Sequence, residues 1–273
     1  MTQAGPKRAA REIAHHPAAR LGARAGYAAN GIVHALIGAI ALGIAFGGTG
    51  EGDQTGALKA IADAPLGLAA LWVLALALWA LATWHLAEGV LARDPEGDVA
   101  GAAKKWGVRA SEWGQAVVFA AVGFIAAAVA LGARPSAEDA AEQASQGVLT
   151  IVGGSILLTL VGLGVAIGGI SFVVMGVLRS FHNKMDIPET PLGRAVVALG
   201  VFGFIAKGVA LLIVGILLLA AAVTVDPSTA GGIDGALQAL LGMMFGPALV
   251  AVVGAGFIAY GAFCLFRARY ATL

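Results

Sequence analysis

Residues 24–38, R-A-G-Y-A-A-N-G-I-V-H-A-L-I-G, line up without a gap on residues 201–215, V-F-G-F-I-A-K-G-V-A-L-L-I-V-G. Gly26, Gly31 and Gly38 match Gly203, Gly208 and Gly215. A weaker third copy lies between them: Gly114 supplies the first glycine, and Phe119 and Ala126 stand where the other two copies have glycine. Each copy opens an apolar run, so the chain reads as one helical unit used three times.

The surrounding composition sets the medium. Of 273 residues 59% are hydrophobic and 12% charged, against about 25% charged in an ordinary soluble domain. The 40 glycines with only 9 prolines fit closely packed helices rather than a collagen-like or disordered chain. A helix needs about 20 apolar residues to cross a bilayer. Six stretches meet that length: Ala25 to Phe46, Leu66 to Leu91, Trp113 to Ala133, Val148 to Leu178, Ala195 to Val223 and Phe245 to Phe266. The first is longer than a signal-peptide core and lacks a clean cleavage site, so it is read as a retained helix.

Between the two helices of a copy lie segments such as D-Q-T-G-A-L-K-A-I-A-D-A-P-L-G and D-G-A-L-Q-A-L-L-G-M-M-F-G-P. Leu58 and Ile61, or Leu237, Leu240 and Leu241, recur three or four apart, the pattern of a short amphipathic helix lying at a membrane surface. The expected fold is therefore all-α: a polytopic membrane protein of six transmembrane helices, built from three tandem repeats of helix, interfacial helix, helix. A basic segment at 1–23 precedes a single membrane domain at 24–273, with repeats at about 24–93, 109–180 and 194–270.

Lysine and arginine set the expected orientation. The N-terminal segment, the second and fourth connections and the C-terminus hold 14 of the 17, while the other three connections hold Lys59 and Arg134. By the positive-inside rule both termini face the cytoplasm, and the expected location is the bacterial cytoplasmic membrane. The single cysteine, Cys264, excludes an internal disulfide.

The R-x-G-Y opening with glycines at +5 and +12, the stretch G-A-L-K-A-I-A-D-A-P-L-G and the closing G-F-I-A-Y-G-A-F-C-L-F-R-A-R-Y resemble a bacterial family of membrane proteins known by a domain of unknown function in three tandem copies. The resemblance spans Arg24 to Tyr270 and implies the triplicated architecture. It brings no catalytic residues with it.

Five polar residues interrupt the apolar runs. At 1.5 Å per residue, Glu88 and His85 lie ~8 and ~12 Å inward from Arg93, and Asn30 and His34 ~9 and ~15 Å inward from Arg24. Lys207 lies ~20 Å beyond Arg194, and the repeat alignment sets it level with Asn30. Asn30, His34, His85, Glu88 and Lys207 thus form a candidate polar site in the inner half of the membrane, since charged groups at such depth normally face a protein interior or a water-filled cavity. Glu88 is the one carboxylate within the expected spans. It is expected to pair with Lys207 across a contact of helices 2 and 5, with His85 and Asn30 completing the hydrogen bonds.

Other chemistry finds little support. His34 and His85, at similar depth on adjacent helices, meet the layout of two axial haem ligands, but no further pattern accompanies them; no cofactor and no metal are expected, haem being the lesser reading. G-I-S-F at 169–172 lacks the glycine of an intramembrane serine protease motif, so Ser171 reads as a packing residue. The turn at 94–98 is too short for a calcium loop. Gly43/Gly47, Gly164/Gly168 and Gly242/Gly246 fit the small-xxx-small spacing. No catalytic residue and no nucleic-acid partner are expected. Two functions remain open: transport or conduction of a proton, ion or small solute through the polar inner-half cavity, or a non-catalytic membrane scaffold or accessory subunit that packs against protein partners in the lipid bilayer.

Overall fold

The computed structural model describes residues 5–92 and 99–272. Arg93 and the turn expected at 94–98 lie outside them. The described residues form ten α-helices and no strand. A short N-terminal helix, α1 (Pro6–His15), precedes the three repeats. Repeat one comprises α2 (Pro17–Ala45), α3 (Gln54–Ala62) and α4 (Gly67–Leu91). Repeat two comprises α5 (Val99–Ala130), α6 (Ala137–Leu149) and α7 (Gly154–Val177), and repeat three α8 (Pro191–Thr224), α9 (Ile233–Leu241) and α10 (Gly246–Tyr270). Six of these helices are long and apolar enough to cross a membrane, two in each repeat.

Each repeat makes its second long helix in the same way. The short helix ends, one residue takes the left-handed conformation (Leu66 φ 61°, Gly153 φ 79°, Phe245 φ 63°), and a glycine opens the long helix. A Cβ on Gly67, Gly154 or Gly246 would strike the carbonyl of Ile61, Val148 or Leu241 in the short helix just left. Only glycine fits that reversal three times over. The fourth span is accordingly not one helix from Val148: α6 and α7 are separate, and the span begins at Gly154.

The apolar faces of the short helices α3 and α9 pack on the long ones: Leu58 and Leu237 are fully buried and Leu240 nearly so, beside Ile37, Ala41 and Leu71. Side-chain caps set their starts where the sequence supplies one. Asp53 accepts from Gly56 N at 2.9 Å ahead of α3, and Ser136 accepts from Asp139 N at 3.1 Å ahead of α6.

By contact the long helices follow one another as an open ring, α5–α4–α2–α10–α8–α7, and the closest packing is between repeats rather than within them. The second helix of each repeat lies against the first helix of the next: α4 on α5, α7 on α8, and α10 back on α2. Among the described residues α5 and α7 make no comparable contact, so the ring is open along that one side. Both termini lie at one end, where Arg24 Nη1 donates to the carbonyls of Ala268 and Arg269 at 3.3 and 2.8 Å. That end is called proximal below, and the end of α3, α6 and α9 distal.

Repeat glycines build these contacts. A Cβ on Gly31 would sit 2.7 Å from Gly261 O, and one on Gly261 2.5 Å from Gly31 O. Seven residues further along, Gly38 and Gly254 are opposed in the same manner, with the Gly38 position also facing Ile258 N. On α7 and α8, Gly169 meets Gly208 O, and Gly215 meets Ala166. The α4–α5 pair lacks these glycines and joins differently: Trp79 fits over Gly123 and donates from Nε1 to Ala120 O at 3.3 Å, and Trp113 fits over Gly89. The small-xxx-small glycines Gly43, Gly164 and Gly168 meet nothing, and Ser171 is exposed, donating back to Ile167 O at 2.8 Å, so none of these residues packs helices.

Gly38→Ala and Gly261→Ala each force backbones apart, and each is expected to lower unfolding stability in detergent by about 1–3 kcal/mol. Gly164→Ala, in open space, is expected to stay within about 0.5 kcal/mol of the parent. Equal losses for all three would contradict the packing scheme.

Candidate functional site

One face of α2 presents Tyr27, Asn30 and His34, at steps of three and four, and one face of α10 presents Tyr260, Cys264 and Arg267, at steps of four and three. These two stripes face each other along the α2–α10 contact. Asn30 Nδ2 donates to Cys264 Sγ at 3.4 Å, and Arg267 Nη2 donates to Tyr27 Oη at 3.2 Å with its guanidinium 4.3 Å from the Tyr27 ring centre.

His34 links this pair of stripes to α8. Its Nδ1 lies 2.9 Å from Asn30 O; a carbonyl only accepts, so Nδ1 carries the proton and Nε2 offers a lone pair. Lys207 Nζ donates to that Nε2 at 3.0 Å. Lys207 sits mid-way along α8, roughly 24 Å from either helix end at 1.5 Å per residue. The rings of Tyr260 and Phe172 stand 4.4 and 5.0 Å from its ammonium. Lys207 nevertheless keeps part of its surface accessible, while His34 and Asn30 are buried.

His85 belongs to a different group. On α4 it faces α5, where its Nδ1 donates to Glu112 at 2.6 Å and its ring stacks on Phe119 at 5.3 Å. Both partners are buried. Tyr27 meets the His85 ring edge-on at 6.1 Å and so stands between the two groups. At the proximal end a cavity of about 220 Å³ is lined by Tyr27, Trp84, His85, Glu88, Glu112 and Arg267, with Ala271 and Thr272.

The candidate residues therefore separate into two sets. Asn30, His34 and Lys207 are together mid-bundle, and His85 and Glu88 share the proximal cavity. The expected Glu88–Lys207 pair does not form. Helix α8 packs on α7, α9 and α10, and α4 on α1, α2, α3 and α5, so α2 and α10 stand between the helices that carry the two residues. The two histidines, expected at similar depth, serve different neighbours, His34 on α8 and α10 and His85 on α5.

Glu112 is the residue of this group that the apolar pattern of the sequence does not mark. The third apolar run begins at Trp113, which left Glu112 in the connection, but α5 starts at Val99 and carries it well inside the helix. The available signal was its spacing: Glu112 and Phe119 are seven apart, two turns on one face of α5, and both meet His85. Arg267 stands in the sequence just past Phe266, the expected end of the sixth span.

The distal end gathers carboxylates. Asp234 is buried and accepts from Gly52 N at 2.7 Å, and Glu51 pairs with Lys59 at 2.7 Å. Burial pushes the Asp234 carboxyl up, the Gly52 N–H opposes this, and Asp53 and Glu51 add to the rise. Glu138 is raised first by burial and then by Asp234. Among the described residues no group of three or more His, Cys, Asp or Glu side chains is placed to hold a metal ion.

The family model described as Domain of Unknown Function (DUF1206) matches three times, at residues 25–92, 113–179 and 202–271. The chain is also similar to "Uncharacterized protein YxxB" of Bacillus subtilis (strain 168), 26% identical over 251 residues that cover 90% of this chain and 89% of that protein. No solved structure matches. Each family match takes in the two long helices of one repeat.

A pair of double-mutant cycles checks the separation of the two sets. His85→Leu and Glu112→Leu are expected to couple by about 0.5–3 kcal/mol in thermal or denaturant unfolding. Glu88→Leu and Lys207→Leu are expected to add within about 0.5 kcal/mol.

Proposed function

The chain belongs to the DUF1206 family, and from that membership and the polar line inside its helix ring we propose a bacterial cytoplasmic-membrane protein that moves a proton, ion or small solute, with both termini in the cytoplasm. The observation that carries this reading is the succession from the proximal cavity, with Glu88, Glu112, His85 and Arg267 on its wall, through Tyr27 to the Lys207–His34 contact half-way along the bundle. Ionisable side chains inside an apolar span are expensive to place, and they normally mark a water-filled path or a relay. This reading needs no catalytic step, cofactor or nucleic-acid partner.

One observation favours a second reading. Helix α7 touches α8 through its glycine face and leaves Ile156, Leu160, Ile167, Ile170 and Val174 exposed, and beside it the ring is open towards α5. A non-catalytic scaffold or accessory subunit would use that face for another membrane helix.

Orientation is checked with cysteines at two exposed sites, the native Cys264 being buried. Thr150→Cys, at the distal end, is expected to react with an impermeant maleimide in intact cells, and Glu189→Cys, between α7 and α8, only after lysis. The reverse result would invert the protein. Function is checked in proteoliposomes holding a pH-sensitive or ion-sensitive dye. Flux is expected above protein-free vesicles, and Lys207→Met is expected to lower it roughly tenfold, equivalent to about 1.4 kcal/mol on the barrier. Vesicles that stay tight to protons and small ions, with a defined protein co-purifying, would favour the scaffold.

A further inference from the structure

Two cations inside the bundle, Lys207 and Arg267, form no ion pair among the described residues. Among the described residues Lys207 Nζ meets one hydrogen-bonding partner, neutral His34 Nε2 at 3.0 Å, and the faces of Tyr260 and Phe172. Arg267 meets the Tyr27 hydroxyl and ring. The carboxylates Glu88 and Glu112 share a cavity with Arg267 without an ion pair to it among the described residues, and Glu112 is engaged by His85. An ammonium has three N–H donors and a guanidinium five, so most of the donors on both groups are available to a ligand. Aromatic faces and one neutral imidazole offset only part of the cost of an ammonium at this depth.

Both cations lie on the α2–α10 line. Arg267 and Tyr260 are seven residues apart on α10, about 10 Å at 1.5 Å per residue, and Tyr260 contacts Lys207. Arg267 lines the proximal cavity, and Lys207 keeps an accessible surface further in. The cavity of about 220 Å³ lies below the ~300 Å³ at which sites for larger organic ligands begin. Glu88 and Glu112 share its wall, and by Coulomb's law they repel a divalent anion about twice as strongly as a monovalent one.

We propose that the solute is a small monovalent anion, inorganic or a short carboxylate, which Arg267 takes up at the proximal cavity and the Lys207 ammonium receives mid-span. This rests on the transport reading for its direction of movement, while binding itself is measurable without it. The anion completes the hydrogen bonding of two cations that form no ion pair among the described residues, and the aromatic walls of Tyr260 and Phe172 shield it from water.

The test uses the full chain in detergent and follows Tm with sodium nitrate, acetate or sulfate against a background of gluconate at constant ionic strength. Nitrate, acetate or both are expected to raise Tm saturably, and sulfate is not; nitrate alone marks an inorganic anion and acetate alone a carboxylate. Lys207→Met is expected to abolish the rise and Lys207→Arg to restore it. Should Lys207→Met not fold, Arg267→Gln serves, with the midpoint expected to move roughly tenfold higher, as loss of about 1.4 kcal/mol of binding gives. No saturable difference from gluconate in the parent, or a rise unchanged in these variants, overturns the proposal. Anion-dependent Tm without flux in proteoliposomes would keep this inference and sink the transport reading, whereas proton or cation flux without anion-dependent Tm would do the opposite.

Discussion

The whole ring depends on backbone lying against backbone where the second helix of one repeat meets the first helix of the next. In a bilayer, apolar side chains gain little by leaving lipid for one another, so association rests on van der Waals contact and on how closely two helices approach. Gly31 against Gly261 and Gly38 against Gly254 bring α2 and α10 together at two levels, seven residues apart and hence on one face of each helix. The same device joins α7 to α8 through Gly169 and Gly208. The first and third repeats are therefore joined by residues more than 200 positions apart in the chain, with no help from a loop.

Where the glycines stop, side chains enter. On α5 the aligned positions are Phe119 and Ala126, and the α4–α5 contact is made by tryptophans seated over glycines instead. The same contact holds His85 and Glu112, with the His85 ring stacked on Phe119. A buried pair of this kind recovers part of its desolvation cost through a short, charge-assisted hydrogen bond. Along α2 and α10 the stripes Tyr27–Asn30–His34 and Tyr260–Cys264–Arg267 occupy the face beside the glycines, so the polar line follows the contact that those glycines build.

Architecture was legible in the sequence because the repeat is written in glycines, and a glycine that must meet another backbone tolerates no substitute. The spans and the short helices followed from apolar length and spacing. Helix adjacency did not. Depth along each run placed Glu88 and Lys207 at comparable levels, but depth carries no information on azimuth around the ring, and α2 and α10 separate the two residues. Glu112 escaped because an apolar run marks where a helix becomes hydrophobic, whereas α5 begins fourteen residues before Trp113. Which long helices the apolar stripes of α3 and α9 pack against was not legible either, since spacing along one helix does not name its neighbours.

The cyclic order of contacts also fixes a timetable. Helix α2 is among the first segments made, yet the partner for its glycine face, α10, lies more than 200 residues later in the chain. At about 5–20 residues per second, α2 waits on the order of 10–40 s with that face towards lipid or towards whatever holds it in the interim. The α4–α5 and α7–α8 contacts, made between consecutive segments, form without such a delay. The ring is thus assembled as two early pairs and one late closure, and the polar groups along α2 and α10 reach their final partners only with the last helix.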